Sequence, residues 1–506
     1  MLISTQLIES GKNANAMTTS NISWLVIPTC DRVLELHRAI LSFGTSIIKY
    51  GHSLNIFVSD NSRVPTAQRE NRDLLTALAS SHNLRIYYAG YDEKVDFCKL
   101  CDSRIPSEVT RFALLGQHGV IPAMGANRNA TLLQTVGNTA LSADDDTEWI
   151  TGRAKGSKTG RGAIFSRSSN VAEITAFEDR AAAVEEVSFS DIDVITEHES
   201  MLGTAFPVRN GSLGHSGLVG NSTFTVRLTS NGVVGDSGFE SQKGVICWEE
   251  PATRKRMFKS DRSARLALET REVVRQVRRR TVARGGECLA TVMGFDNREV
   301  LPPFFPHFRG EDNLFGLMLG CCDVTSVIGY LPFVVVHAPP EHRHSPPTNL
   351  AVVNVCEIIG WLCIMWARCC EYNDVRSRLR SLGRFLTGIA SMPVEDFEAA
   401  LREVLEMRSR HLTLQLEQQI RVAFLPDVWK SAIQGAIESL TKNSISNVIA
   451  MEPRKVEAKT TLVSSTLIRE VTLSYGELLK WWIPLLEVAR DLANAGMGVG
   501  NPVFGK

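Results

Sequence analysis

Short apolar runs alternate with stretches of helical spacing over the first part of the chain. Residues 24–28 form an apolar run, and residues 31–43 follow with apolar side chains three and four positions apart. The order repeats with a run at 54–59, a helical stretch at 68–80 and a run at 84–88. Strands that alternate with helices predict a parallel sheet with right-handed crossovers. We therefore expect an α/β fold that binds ligands at the carboxyl ends of its strands.

The last third of the chain has a helical pattern. Residues 350–370 are apolar and nearly long enough to span a bilayer, but Asn354, Glu357 and Gly360 interrupt the run. This favours a buried helix over a membrane span. Amphipathic stretches follow, and Gly496 suits a helix C-cap; these stretches are 374–386, 394–424 and 475–495.

The length of 506 residues suggests about two to four domains. We expect a flexible leader, an α/β domain of the Rossmann-like type with a mixed, mostly parallel sheet, an all-α domain and a disordered tail. Their predicted bounds are 1–20, 21–347 (with an insertion at about 152–290), 348–495 and 496–506. Within the insertion, residues 254–284 are rich in arginine and predict a helix, either with a solvated face or as a contact for a polyanionic acceptor or a lipid phosphate.

Composition excludes several classes of protein. The chain has 55 basic and 55 acidic residues, so it lacks the positive field that recruits nucleic acid. No basic segment followed by an apolar core opens the chain, and we expect a cytoplasmic protein. The 11 cysteines then predict reduced, mostly buried thiols. The lone pair Cys98 and Cys101 is better explained by packing than by metal or redox chemistry.

Three consecutive carboxylates, Asp144, Asp145 and Asp146, follow an apolar stretch and a short predicted strand. Adjacent carboxylates repel one another, and Mg²⁺ takes oxygen ligands that it commonly shares with substrate phosphates. In an extended segment, Asp144 and Asp146 point to the same side. An Asp-rich turn without bound metal is the alternative.

Four motifs in this order resemble the nucleotide-sugar half of a family-2-type glycosyltransferase of the GT-A fold. They are IPTCDR (27–32), VSDNS (58–62), GANRNATLLQ (125–134) and SADDDTEW (142–149). The resemblance implies a nucleoside-diphosphate sugar as donor and a DxD-type motif that binds Mn²⁺ or Mg²⁺ through Asp144 and Asp146. It also implies donor-binding residues, namely Thr29, Asp31, Arg32, Asp60, Arg128, Asn129, Asp144 and Asp145.

A later stretch, with Glu311 and Asp312 after a glycine and before an apolar run, resembles the ED motif of the same transferases. The resemblance implies that Asp312 is the catalytic base and that Glu311 supports it or binds acceptor. A carboxylate can accept the proton that an acceptor hydroxyl loses as it attacks. A helix-capping pair is the alternative. His342 or His344 would be a further metal ligand, unless this proline-rich segment is an exposed polar loop.

Together these features predict a metal-dependent, inverting glycosyltransferase with an unidentified acceptor. Peripheral membrane contact and self-association through the helical domain remain open. One rival is a nucleotidyltransferase-like enzyme on a similar sheet, although no Gly-rich, basic signature follows the first strand. The other is a non-catalytic nucleotide-sugar-binding or scaffold protein.

Overall fold

The computed structural model describes residues 22–116, 123–168, 170–208, 222–239, 241–285, 288–339, 350, 352–421, 425–442, 450–451, 461–462 and 464–503. It is an α/β protein with a large mixed sheet and a helical C-terminal region. The coarse fold expected from the sequence is therefore confirmed.

The N-terminal part alternates strands and helices as the apolar pattern predicts, and it adds two helices after the third strand. The elements are β1 (Trp24–Thr29), α1 (Val33–Tyr50), β2 (Asn55–Asp60), α2 (Pro65–His82), β3 (Arg85–Ala89), α3 (Tyr91–Cys101), α4 (Ser107–Leu115), α5 (Met124–Gln134) and β4 (Thr139–Ala143). β1 pairs in parallel with β2 on one side and with β4 on the other, and β2 pairs in parallel with β3.

The central part supplies most of the remaining strands and several short helices. The elements are β5 (Thr147–Ala154), β6 (Ile164–Ser166), β7 (Glu173–Ala176), α6 (Arg180–Glu185), β8 (Val187–Phe189), α7 (Val194–Glu199), β9 (Ala205–Val208), β10 (Ser222–Asp236), α8 (Lys243–Ile246), α9 (Pro251–Met257), α10 (Asp261–Glu269), β11 (Glu272–Gln276), β12 (Thr281–Ala283), β13 (Val292–Asp296), α11 (Glu311–Cys322) and β14 (Ser326–His337).

The stretch expected as an insertion, 152–290, contributes strands to the same sheet. The order along the sheet includes β3-β2-β1-β4-β13-β10-β14-β12-β6, and the strands beyond β4 pair mainly antiparallel. The predicted helix over 254–284 is wrong in its second half, because residues 272–276 and 281–283 are strands. The valines there are β-branched and pack within the sheet, where such side chains fit well.

The C-terminal part is helical, with α12 (Val355–Cys369), α13 (Val375–Ala390), α14 (Val394–Ile420), α15 (Asp427–Lys442) and α16 (Ser465–Asn494). It also contains the short strands β15 (Ala450–Met451), β16 (Thr461–Leu462) and β17 (Asn501–Pro502). The apolar run at 350–370 forms α12, which buries most of its apolar side chains. In the part of the chain that the structure describes, no helix combines the length and apolar character needed to cross a membrane.

Two observations concern the end of the chain. Gly496 has φ +77° and follows the C-cap residue of α16, as predicted for a C-terminal glycine. The prediction that the tail after Gly496 is disordered is wrong for residues 497–503. β17 pairs antiparallel with β3, and the amide of Gly500 donates to Gln134 Oε1 at 2.9 Å. The leader at 1–20 lies outside the described residues.

Candidate active site

The candidate site begins where β1 and β4 end side by side. β1 lies between β2 and β4, so the order of the strands reverses here, and such a switch point is where α/β sheets bind ligands. The parallel register pairs Val26 with Ser142. Extended by three residues, it places Thr29 opposite Asp145, and Thr29 Oγ1 donates to Asp145 Oδ2 at 2.7 Å.

Asp144, Asp145 and Asp146 form a tight turn between β4 and β5, which we call the acidic turn. The amide of Asp144 donates to Thr291 O at 3.0 Å, and the amide of Thr147 donates back to Asp144 O at 3.2 Å. From the loop after β1, a single nitrogen, Arg32 Nη1, donates to Asp145 Oδ1 at 2.8 Å and to Asp146 Oδ2 at 2.9 Å.

A histidine that the sequence reasoning passed over faces the same turn. His337 ends β14 and is buried, with its Nε2 3.4 Å from Asp146 Oδ1. Its Nδ1 lies 2.7 Å from the carbonyl oxygen of Asp236. A carbonyl only accepts, so Nδ1 carries a proton and Nε2 is the nitrogen directed at Asp146. Asp236 is itself fixed by a two-point ion pair with Arg271, at 2.7 and 3.0 Å.

Arg128 joins the acidic turn to the second predicted acidic motif. Its Nη2 donates to Asp144 Oδ1 at 2.9 Å, and its Nε donates to Glu311 Oε1 at 3.3 Å. One guanidinium group therefore spans the two motifs, which are 165 residues apart between Asp146 and Glu311. The third nitrogen, Nη1, is buried and has no hydrogen-bond partner. Such a group is costly unless a ligand completes it.

The loop before α11 reaches Arg128 because it is fastened to α5. Asn129 is fully buried; its Nδ2 donates to Phe304 O at 3.0 Å, and its Oδ1 accepts from the amide of Phe304 at 2.8 Å. The amide of Ala126 donates to Pro306 O at 3.0 Å. Gly125 is required at this crossing, since a Cβ there would lie 1.8 Å from the carbonyl oxygen of Phe305.

Glu311 and Asp312 occupy the first turn of α11, where the helix dipole favours negative charge. Glu311 is buried against Arg128, whereas Asp312 is only partly buried. Asp312 Oδ2 accepts from the amide of Ala290 at 3.4 Å, and its Oδ1 accepts from the amide of Asn313 at 2.8 Å. Asp312 is thus the more accessible of the two acids.

Three other residues predicted to bind donor are engaged by the chain itself, and one of them, Asp60, pairs with Thr29 where β1 and β2 end. Asp31, with φ +55°, is at the exposed rim and accepts from the amide and Nε of Arg63. Asp60 is 1% exposed, and its carboxylate accepts from Asn71, from Tyr88 and from the amide two residues ahead. Asn129 anchors the loop before α11 to α5 through the backbone of Phe304. His342 and His344 lie outside the described residues.

A buried lysine ties the loops of this region together. Lys94 Nζ donates to Asp60 O at 3.0 Å, to Asn61 Oδ1 and to Asn127 Oδ1 at 2.8 Å. Asn127 in turn donates to Thr29 O at 3.1 Å. Burial lowers the pKa of Lys94 to about 7, against the nearby Asp60 carboxylate. The ends of β1 and β2 are thereby joined to the helix that carries Arg128.

The charges of the cluster are unevenly matched. In the described part of the chain, the acidic turn and Glu311 share the two guanidinium groups of Arg32 and Arg128. Burial raises the pKa of Glu311 to about 7, with Asp312 adding to the effect and Arg128 opposing it. Burial also raises the pKa values of Asp144 and Asp145, opposed by the same arginines. The acidic turn and Glu311 thus bring four carboxyl groups to two guanidinium groups and the imidazole of His337.

The side chains at the acidic turn suit a hard divalent cation in donor type. Asp144 and Asp146 offer carboxylate oxygens, and a neutral His337 would offer Nε2 with its other nitrogen anchored, the usual arrangement of a ligating histidine. Among the described residues, no three acidic, histidine or cysteine side chains converge to hold a metal ion by themselves. Mg²⁺ at phosphate sites commonly takes one or two carboxylates and completes its shell with phosphate oxygens and water.

Comparison with known proteins assigns no family to the chain. No protein-family model matches the chain, and no curated protein matches it significantly.

Proposed function

We propose that this protein is a metal-dependent, inverting glycosyltransferase of the GT-A type, which moves a sugar from a nucleoside-diphosphate sugar to an acceptor hydroxyl. One observation carries the proposal. Arg128 contacts Asp144 at 2.9 Å and Glu311 at 3.3 Å, so both acidic motifs lie against one guanidinium group beside the carboxyl end of β4. A single sugar nucleotide can then bridge the acidic turn and Asp312.

The donor side of the cleft is formed by the acidic turn with Thr29, Arg32 and His337. When bound there, Mn²⁺ or Mg²⁺ would neutralise the charge that grows on the leaving diphosphate. Thr29 holds Asp145 in place at the end of β4. Arg128 Nη1 is buried and has no hydrogen-bond partner in the described part of the chain, so it can donate a hydrogen bond to an anionic ligand.

The acceptor side is formed by the first turn of α11. Asp312 is partly exposed and is held by two backbone amides, so it can accept the proton of an acceptor hydroxyl that attacks the anomeric carbon. A base of this kind supports single displacement, and the product then has the inverted anomeric configuration. Glu311 is buried against Arg128 and acts through that arginine rather than on the acceptor.

The first test identifies the donor. Thermal unfolding is measured with UDP-, GDP- and dTDP-sugars, each with and without Mn²⁺. A ligand that binds only the folded state raises the apparent stability. We expect one nucleotide class to raise the unfolding temperature in the presence of Mn²⁺ and much less in its absence. Stabilisation by nucleoside triphosphates alone would favour the nucleotidyltransferase alternative.

The second test uses two variants with the donor so identified. Asp146→Asn should lower Mn²⁺-dependent sugar transfer or donor hydrolysis by about 10²-fold or more, because a charge facing the diphosphate is lost. Asp312→Asn should lower transfer by about 10²–10⁴-fold and leave donor affinity nearly unchanged.

Asp96→Asn is the matched control, since Asp96 is exposed on α3 and pairs with Lys99 in the same helix. If Asp146→Asn keeps full activity, the metal assignment is wrong. Transfer at the wild-type rate by Asp312→Asn would place the base elsewhere, and a product with retained configuration would exclude inversion.

A further inference from the structure

Arg32 holds a carboxylate that the proposed dication needs. Its Nη1 lies between two oxygens, 2.8 Å from Asp145 Oδ1 and 2.9 Å from Asp146 Oδ2. The other oxygen of Asp146 faces His337 Nε2 at 3.4 Å. Both oxygens of Asp146 are therefore engaged by basic groups of the chain itself.

Arg32 is more exposed than the two acids that it contacts. It lies in the short loop between β1 and α1, and its side chain is 25% exposed, whereas those of Asp145 and Asp146 are 5% and 6% exposed. The acids are buried in the turn, and Arg32 is the more exposed partner. A guanidinium group also presents parallel N–H donors, which suit the paired oxygens of a diphosphate better than one nitrogen shared by two separate carboxylates.

A second observation indicates that an anion belongs beside this turn. Arg128 is 9% exposed, and its Nη1 has no hydrogen-bond partner although the other nitrogens of the group bind Asp144 and Glu311. A buried cationic donor without a partner is satisfied by an acidic ligand. The excess carboxylates favour a cation and Arg128 favours an anion, and a metal-bound diphosphate provides both.

We propose that Arg32 is a placeholder that couples metal and nucleotide binding. In the free protein it blocks the Asp146 carboxylate against Mn²⁺ or Mg²⁺, and a nucleoside diphosphate releases it by offering phosphate oxygens to the guanidinium group. The inference rests on the proposed function. It means that the dication binds weakly alone and that dication and nucleotide strengthen each other by the same factor, as linkage requires.

The test measures Mn²⁺ binding directly, from the electron paramagnetic resonance signal of free Mn²⁺, with no catalysis involved. Wild type is titrated with Mn²⁺ alone and with saturating UDP, GDP or dTDP. We expect one of these diphosphates to tighten Mn²⁺ binding by about tenfold or more. Arg32→Met should bind Mn²⁺ alone about tenfold tighter than wild type, and the diphosphate should add little further.

Two controls separate blocking from general charge effects. Arg38→Met removes an exposed arginine of α1 that lies 3.8 Å from Glu148, and it should leave Mn²⁺ binding near the wild-type value. Arg32→Lys keeps a positive charge beside Asp146 but lacks the parallel N–H donors of the guanidinium group. Mn²⁺ alone should therefore still bind weakly, and the diphosphate should tighten Mn²⁺ binding less than in wild type. Thermal unfolding confirms that each variant is folded, and Arg32→Gln replaces Arg32→Met if the latter is not.

The outcomes are distinguishable. If Arg32→Met and wild type bind Mn²⁺ equally and gain equally from the diphosphate, the placeholder role is wrong and the proposed function stands. If wild type binds no Mn²⁺ with any of the diphosphates, the proposed function fails and this inference fails with it. Reduced Mn²⁺ binding by folded Arg32→Met would show a supporting rather than a blocking role, and would also overturn the inference.

Discussion

At the scale of single residues, Arg128 is the side chain on which the site depends. It is buried between Asp144 and Glu311, and each acid would be left with an uncompensated charge if it were removed. Lysine is a poor replacement, because Arg128 reaches the two acids with two different nitrogens of a planar guanidinium group, and a single ammonium nitrogen does not reproduce that spacing.

Arg128→Met should therefore lower the free energy of unfolding by about 3 kcal/mol or more, the usual cost of breaking a buried ion pair. The check is chemical denaturation at neutral pH, with Arg376→Met as control. Arg376 pairs with Glu487 at 2.9 Å, but both side chains are about half exposed. That control should cost about 1 kcal/mol or less. Equal losses for the two variants would show that Arg128 is not the link described here.

The structure brings some of the predicted site residues together and leaves others apart. Thr29, Arg32 and the acidic turn come together because they lie at or just after the ends of the neighbouring strands β1 and β4, and Arg128 reaches the acidic turn from α5. His337 was missed because its approach to Asp146 depends on the antiparallel pairing of β14 with β5, where His337 is paired with Thr147. That pairing is a long-range contact that no local motif encodes.

At the scale of elements, the crossing of the 304–310 loop over α5 sets the distance between the two acidic motifs. Gly125 lies at the crossing, where any side chain larger than a hydrogen atom would overlap the backbone of Phe305. The loop also contains strained backbone, since the buried Phe308 has φ +64°. Anchoring by Asn129 and Ala126 helps to keep this conformation populated.

Gly125→Ala should push the loop from α5 and lower the free energy of unfolding by about 1–3 kcal/mol. It should also reduce transfer activity, because displacement of Glu311 and Asp312 by about 1 Å can cost about 10²-fold. Gly435→Ala in α15 is the control. A Cβ there meets nothing within 4 Å, so this change should be neutral or stabilise by about 1 kcal/mol. A Gly125→Ala variant as stable and active as wild type would contradict the role of the crossing.

Elements with strong apolar periodicity were predicted well from sequence. β1 to β3 and helices α12 to α14 appear close to their expected positions, whereas α3, α4 and α15 were not predicted. The error at 254–284 arose because arginines spaced among valines fit an amphipathic helix as well as a strand. The tail was mispredicted because β17 is held by its partner β3 and by Gln134, not by its own composition.

At the scale of the whole molecule, the helical region and the sheet share one core. One cluster of buried apolar side chains includes Phe57 and Phe295 of the sheet together with Leu382 and Trp482 of the helices. A partly buried charged group reinforces the connection. Glu357 of α12 accepts from Lys243 of α8 at 2.7 Å and from Nε of Arg408 in α14 at 2.8 Å. The helical region is thus built into the α/β part.

The Glu357 contacts predict a pH dependence of stability. Burial alone would raise the pKa of Glu357, but Lys243 and Arg408 outweigh it and lower the pKa from 4.5 to about 2. Because the pKa of Glu357 is lowered in the folded state, its ionised carboxylate stabilises the fold at pH values above the ordinary pKa of 4.5. This contribution, about 3 kcal/mol, is lost as the pH falls from about 4.5 to about 2.

Glu357→Gln should therefore be less stable than wild type at neutral pH, and the difference should shrink as the pH falls through this range. Denaturant unfolding at several pH values checks this. Glu406→Gln on α14 is the control, because Glu406 is 60% exposed and lies 4.0 Å from Arg410. A difference that stays constant with pH would mean that the carboxylate is not the stabilising group.

We propose that a dication and a diphosphate bind at the acidic turn, facing Asp312. The most direct measurement is anomalous X-ray diffraction from crystals grown with Mn²⁺ and the nucleoside diphosphate that stabilises the protein most. We expect a manganese peak at an ion bound by Asp144 or Asp146 and by diphosphate oxygens, with Arg32 turned from Asp146 toward the phosphates. A diphosphate bound away from the acidic turn, or bound there with no manganese peak, would contradict it.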